Sequence, residues 1–208
     1  MAKVMADKEE VIFQEGVPES PSQIYQLLMQ AYSEQRRSVV KFFVDEVDCM
    51  SGGNFPDSFK LIEAESLSHD EITLRISIQL LNQMSQLAEH LSAYQANILS
   101  NAWSDVIKQM DDFISKIQPF ADLIDNVLPY AESYSPPWKN SFENIAKEQA
   151  KILEAVLFSF ESSNPAGLSD HLQIEFLPLL ERTKSLFAKE IIPFLKNASE
   201  DTYEEDTP

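Results

Sequence analysis

The chain has 208 residues, and its 34 acidic side chains outnumber its 16 basic ones, which gives a formal net charge of −18. A surface with this charge repels phosphate backbones and anionic lipid headgroups, so neither nucleic acid nor a membrane surface is expected as a partner. Hydrophobic residues make up 44% of the chain, and the mean hydropathy is −0.23. Because no long uncharged apolar run occurs, these values predict a soluble folded protein without a membrane span.

The single cysteine, Cys49, cannot form an internal disulfide and leaves no cysteine framework for a metal. The first ten residues become acidic before an apolar stretch of signal-peptide length can form. Both observations predict a reducing compartment, and the cytoplasm fits best.

Glycine is scarce, with four residues in the whole chain. Because glycine is the usual residue for turns with positive φ, this scarcity predicts few tight turns and long elements. Ser20-Pro21 is a helix start signal, and the apolar residues that follow predict a helix over about 21–47. A loop over 48–57 and a short helix over 58–65 come next.

A long helix is predicted from residue 69 to about residue 99. Ser68 and Glu71 form a capping-box pattern at its start. A turn near 100–104 then leads to a helix ending near 131, and two more helices are predicted at about 137–162 and 169–197. Four prolines inside apolar runs predict kinks or breaks in these later helices, either as fixed adjustments of shape or as a hinge: Pro119, Pro129, Pro178 and Pro193.

These elements predict an all-α fold, an antiparallel bundle of about five long helices with flexible termini. The predicted domain organisation is a flexible segment over 1–19, a helical bundle over 20–198 and a disordered acidic tail over 199–208. A faint repeat at an offset of 114 residues leaves open a division of the bundle into related halves, about 20–118 and 119–198.

No pattern of catalytic or metal-binding residues stands out. The three histidines, His69, His90 and His171, lie in polar stretches, and there is no Glu-x-x-His pair of the kind that di-metal bundles use. His171 and Glu175 are four residues apart, but two ligands on one helix do not make a site. Glycine-rich phosphate loops and nucleophile motifs do not occur. We therefore predict no catalytic residue, no metal site and no cofactor.

By elimination, the sequence favours a non-catalytic protein-protein interaction module, similar to an adaptor or a chaperone. Such a module binds an amphipathic partner helix, or it self-associates as a homodimer. The alternative is a helical protein or enzyme that holds a small molecule or a metal in a pocket between helices. The residues predicted to bind a partner are Phe42, Phe43, Trp103, Trp138, Phe158 and Phe160.

Overall fold

The computed structural model describes residues 2–14, 16–50 and 54–205. The chain divides into two compact units, Met1–Ile72 and Thr73–Pro208. We call them the sheet unit and the helical unit.

The sheet unit holds a five-stranded mixed sheet and one helix. Its elements are β1 (Lys3–Ala6), β2 (Glu9–Glu10), α1 (Pro21–Glu34), β3 (Arg37–Val44), β4 (Val47–Asp48) and β5 (Leu61–Ser68). The strand order is β2-β1-β5-β3-β4, with β5 parallel to β1 and antiparallel to β3. Two hairpins on either side of a helix, with the last strand inserted between them, form a β-grasp topology. A fold of this kind does not by itself specify a function.

The predicted all-α antiparallel bundle of about five long helices is therefore wrong, because the first third of the chain forms a mixed sheet with one helix. The predicted helix over 21–47 ends at Glu34, and its second half is strand β3. This strand is rich in β-branched and aromatic residues, which suit a half-buried pleated surface. Val39, Phe42 and Val44 are buried while Lys41 is exposed. A bulge between Val39 and Lys41 interrupts the strict alternation that would have marked a strand in the sequence. Strand β5 likewise replaces most of the predicted short helix over 58–65.

Glycine scarcity was misleading because other residues, with an aspartate first in each pair, make the hairpin turns. Asp7 and Lys8 turn the first hairpin and Asp45 and Glu46 the second, all four with positive φ between 48° and 71°. Aspartate adopts the left-handed region more readily than most residues. Each turn carboxylate also accepts backbone N–H groups of β5. Asp45 Oδ1 accepts from Leu61 at 2.8 Å, and Asp7 Oδ1 accepts from Ser66 at 2.7 Å.

The core of the sheet unit lies between α1 and one face of the sheet. Ile24 of α1 and Ile62 and Phe42 of the strands are fully buried. The Tyr25 ring meets the Phe42 ring edge to face, with centroids 5.2 Å apart.

The helical unit contains most of α2 (His69–Ile98), whose first turn belongs to the sheet unit, followed by α3 (Trp103–Lys108), α4 (Met110–Tyr134) and α5 (Lys139–Glu161). The predicted capping box is confirmed. Ser68 Oγ accepts from the Glu71 N–H at 3.1 Å, and the Glu71 carboxylate accepts from the Ser68 N–H at 2.9 Å. The predicted turn near residue 100 separates α2 from α3.

The last helical stretch alternates between α and π geometry. It consists of α6 (Pro165–Asp170), a π segment (His171–Phe176), α7 (Leu177–Leu186), a second π segment (Phe187–Ile191) and α8 (Ile192–Glu205). Eight fully buried residues recur here in two runs with a four-residue spacing: Leu168, Leu172, Phe176 and Leu180, then Thr183, Phe187, Ile191 and Leu195. A spacing of four exceeds the 3.6 residues of an α-helical turn, so the stripe would drift by about 40° per step. The wider π turns offset that drift.

The same π segments accommodate two of the four prolines without a break. The residues four positions before Pro178 and Pro193 are Ile174 and Lys189, and both lie inside π segments. Those are the carbonyls that a proline ring would otherwise strike in an α-helix. Helix α4 also continues through positions 119 and 129. The prolines therefore do not end their helices.

Regular secondary structure reaches into both of the terminal segments that were predicted to be flexible or disordered. Strands β1 and β2 lie within residues 1–19. The predicted disordered tail over 199–208 begins inside α8, and residues 206–208 lie outside the described part of the chain. At the 114-residue offset, residues 37–44 form a strand whereas their counterparts over 151–158 are helical.

Candidate functional site

A groove runs along the helical unit between α4 and α5. We call it the α4–α5 groove. It encloses about 140 Å³ and is lined by Phe113, Ile114, Ile117, Gln118, Ala121, Leu153, Val156, Leu157 and Phe160. Gln118 is the one polar residue in this lining. Phe113, Val156 and Phe160 belong to the hydrophobic core and form the floor, whereas Ile114 and Leu157 are 38% and 50% exposed. The groove therefore offers an apolar floor with apolar side chains at its mouth.

The apolar surface continues over the outer face of α5, which we call the α5 shelf. Its residues are Ala150, Lys151, Leu153, Glu154, Ala155, Leu157, Phe158 and Glu161. Leu153 and Leu157 belong to both surfaces. Phe158 is 67% exposed, which is unusual for so large an apolar side chain. Contiguous apolar surface of this kind marks sites of interaction more often than single exposed residues do.

Acidic residues dominate the two helices that form this surface. Together α4 and α5 carry nine acidic residues against four lysines. Two of the lysines are held within their own helices, Lys116 by Asp112 at 2.7 Å and Lys139 by Glu143 at 3.8 Å. On the shelf, Glu154 and Glu161 form no ion pair with any other described residue.

The six residues predicted to bind a partner occupy very different environments. Phe42 is fully buried and Phe43 half-buried in the sheet unit, so they do not share a surface with each other. Trp103 is partly buried and packs beside Phe160, with ring centroids 6.0 Å apart. Phe160 is 7% exposed and contributes to the groove floor, while Phe158 stands on the shelf.

Trp138 is a core residue at the start of α5. It is 1% exposed and stacks on Tyr130 with centroids 6.0 Å apart and planes 10° from parallel. Phe142 and Phe194 meet it edge to face. This packing leaves no face of Trp138 for a partner.

Sequence reasoning missed the groove residues Ile114, Leu153 and Leu157. A signal for the two leucines exists in α5, whose buried stripe includes Ile145, Gln149, Ile152 and Val156. Leu153 and Leu157 each follow a stripe residue by one position. They therefore widen the apolar face beyond what one core contact needs.

A second recess lies between α2 and α4. It encloses about 240 Å³ and is lined by Gln83, Gln86, Leu87, His90, Ser115, Lys116 and Phe120. Gln83 Oε1 is buried and has no hydrogen-bond partner in the described structure. A buried carbonyl oxygen left without a donor is costly. The recess therefore combines the apolar side chains of Leu87 and Phe120 with one hydrogen-bond acceptor, Gln83 Oε1, that has no donor in the described structure.

The sheet unit contains a polar network around Asp7. The Asp7 carboxylate accepts from Ser66 N at 2.7 Å, from Ser66 Oγ at 2.6 Å and from the Tyr32 hydroxyl at 2.9 Å. Arg37 Nε donates to Ser66 Oγ at 2.8 Å, and the Arg37 guanidinium lies 3.7 Å from the carboxylate. Partial burial alone would raise the pKa of Asp7, but the hydrogen bonds from Ser66 and Tyr32 and the Arg37 charge together lower it.

The Asp7 network has the properties of a structural element. Partial burial and the bond to Asp7 raise the pKa of Tyr32 to about 12, so its hydroxyl is a poor proton donor or acceptor for catalysis near neutral pH. Ser66 is 5% exposed, which shields its hydroxyl from a substrate. The network ties the first hairpin and α1 to strand β5.

The histidines do not assemble a metal site. His69 Nε2 lies 3.0 Å from Ser38 Oγ, and His171 Nδ1 lies 2.9 Å from Glu175 Oε1. His171 and Glu175 therefore bond to each other. Among the described residues, no group of three or more histidine, cysteine or acidic side chains has the arrangement of a metal site.

Within the described chain, no helix is long and apolar enough to cross a membrane. No protein-family model, curated protein or solved structure matches this chain.

Proposed function

We propose that the helical unit is a protein-binding module that holds an amphipathic helix of another protein on the α4–α5 groove and the α5 shelf. The observation that carries the proposal is the apolar strip formed by half-buried Leu153 and exposed Leu157 and Phe158, which borders an apolar recess. Helix-in-groove recognition uses this combination of a hydrophobic trough and flanking apolar side chains.

The dimensions of the groove suit a helix as its occupant. From Ile114 to Ala121 the α4 wall extends over seven residues, about 10 Å at the rise of an α-helix. That length accommodates two turns of a partner helix, which would place apolar anchors three or four residues apart. The α5 wall, from Leu153 to Phe160, has the same length.

Charge favours another protein over a second copy of this chain as the occupant. A second copy would bring the same acidic helices to the interface, and the chain as a whole has a net charge of −18. Like charges facing each other across an interface weaken association and suppress wrong partners. Homodimerisation through this surface is the outcome of the test that would reject the proposal.

The test places a photocrosslinking amino acid at Ala150, on the shelf, and maps the captured segment by mass spectrometry. We expect crosslinks to one segment of another protein with apolar residues at helical spacing. The Phe158→Ser variant should abolish those crosslinks, whereas Leu99→Ser should retain them. Leu99 is a matched control because it is 66% exposed, against 67% for Phe158. Crosslinks to the chain itself, or crosslinks that survive Phe158→Ser, would contradict the proposal.

A ligand-binding function is the second candidate, and the recess between α2 and α4 favours it. Its unpartnered Gln83 Oε1 would accept from a ligand N–H or O–H, while Leu87 and Phe120 would cover an apolar body. A fragment screen by ligand-observed NMR tests this function. Hits that carry a hydrogen-bond donor and disappear in Gln83→Leu would support it, and an absence of such hits would reject it.

We also propose the cytoplasm as the location of the protein. The support is chemical, since the lone Cys49 is a buried free thiol, as in proteins from reducing compartments.

A further inference from the structure

On the outer face of the α5 shelf, two acidic residues flank two apolar ones. Its outer face reads Glu154, Leu157, Phe158 and Glu161, so two acids seven residues apart bracket two adjacent apolar side chains. All four side chains are exposed. Seven residues are about two helical turns, so the two carboxylates lie on the same side of α5, about 10 Å apart along its axis.

We infer that the partner of this surface is a basic amphipathic helix. Two Lys or Arg residues seven positions apart would meet Glu154 and Glu161, and two adjacent apolar residues between them would meet Leu157 and Phe158. The inference rests on the proposed function and adds the chemical class and spacing of the partner. The same logic sets pairing in coiled coils, where flanking charges select the partner and apolar residues supply the contact area.

The other charges of the two helices support this assignment. Lys151 is the one basic residue of the shelf, and it lies at the end next to Glu154, outside the segment bracketed by the two acids. On α4, the one lysine is already bound to Asp112. A basic partner would thus meet two carboxylates that have no ion pair within the described structure, while an acidic partner would meet no unpaired cation between them.

The test uses three synthetic helices of about 18 residues, long enough to fold on an alanine background. Each contains the segment X-Ala-Ala-Leu-Leu-Ala-Ala-X, with lysine, glutamine or glutamate at both X positions. Binding to the full chain is measured by fluorescence anisotropy at low and high salt. We expect the lysine helix to bind about three- to tenfold more tightly than the glutamine helix, which corresponds to two exposed ion pairs. The glutamate helix should bind most weakly, and high salt should reduce the differences in affinity among the three helices.

Charge reversal on the protein provides the decisive arm. The Glu154→Lys/Glu161→Lys variant should invert the order, so that the glutamate helix binds most tightly. Glu19→Lys/Glu34→Lys makes the same change in net charge at two exposed acids of the sheet unit, and it should keep the lysine helix first. If the control also inverts the order, attraction is to the overall charge and the inference fails.

The outcomes separate this inference from the proposed function. If all three helices bind equally and Phe158→Ser weakens them all, the apolar docking surface stands and the basic class of partner is rejected. If none of the helices binds, or if binding ignores Phe158→Ser, the docking surface itself is rejected.

Discussion

Replacing Asp7 with alanine should loosen the centre of the sheet while leaving the helical unit intact. Asp7 occupies a hairpin turn, yet its carboxylate holds strand β5 through Ser66 and helix α1 through Tyr32. One substitution therefore removes the acceptor for three donors on two different elements.

The magnitude follows from those contacts. A hydrogen bond to a charged group contributes about 1.5–3 kcal/mol. The Asp7 side chain is 35% exposed, so water replaces part of each bond and the lower end of that range applies. Three bonds that share one carboxylate are not additive, and we take about 2–3 kcal/mol for the set. Alanine at φ 50° adds about 1 kcal/mol of backbone strain. The expected loss is about 3–4 kcal/mol.

Hydrogen exchange measured by mass spectrometry suits this prediction because both tryptophans, Trp103 and Trp138, lie in the helical unit. Tryptophan fluorescence would therefore follow the wrong unit. The assay compares amide protection in β5 with protection in α5. At about 1.4 kcal/mol per tenfold change, the β5 amides should exchange more than a hundredfold faster, and the α5 amides should not change.

Two further variants make the prediction refutable. Asp7→Asn keeps a residue that tolerates positive φ and retains one acceptor, so it should cost about half as much. Glu9→Ala, an exposed acid of strand β2, should be neutral within about 0.5 kcal/mol. If Asp7→Ala changes β5 protection no more than Glu9→Ala does, the carboxylate does not hold the sheet and the reasoning is wrong.

Three other outcomes are expected. Folding lowers the pKa of Asp7. Its stabilising contribution is therefore complete above the unfolded pKa of about 3.9 and is lost as the pH falls through the lower folded pKa. Amide protection of β5 below about pH 4 should depend less on pH in Asp7→Asn than in the unmodified protein. Gly167→Ala places a Cβ in steric conflict with Asn164 Nδ2 and disturbs the 2.9 Å cap bond from Gly167 N–H to Asn164 Oδ1. The substitution should lower the free energy of unfolding in urea by about 1–2 kcal/mol, and by much less when Asn164→Ala is already present. Fully additive effects of the two substitutions would refute the clash. Phe158→Ser should leave the melting temperature unchanged while Phe160→Ala lowers it, because only Phe160 is core.

The sequence predicted the helical unit better than the sheet unit. Helix α2 has a capping box, an apolar stripe and no glycine or proline, so every local signal agrees with its structure. Strand β3 gave conflicting signals, because its bulge disrupts the period of two and its flanking turns are made by Arg36, Asp45 and Glu46 at positive φ instead of glycine. Its pairing with β5 is also a long-range contact that no local window contains.

The candidate site could be predicted only in part for a similar reason. Exposure decides which aromatic residues can serve a partner, and exposure depends on which helices pack together. Phe158 and Phe160 are two residues apart in one helix, yet they are 67% and 7% exposed. The two residues lie on different faces of α5, but the sequence does not show which of these faces packs against the core.

The alternation of α and π turns between Pro165 and Glu205 bears on how this chain tolerates changes in length. A π turn accommodates one more residue than an α turn over nearly the same span, so each π segment behaves as a one-residue insertion held inside a helix. Deleting one residue from either segment would tighten it to α geometry and leave the residues beyond it facing the core as before, whereas deleting one residue from an ordinary α turn would rotate everything beyond it by about 100°. A natural variant that lacks one residue at Gln173 or Lys189 should therefore keep the buried residues downstream unchanged.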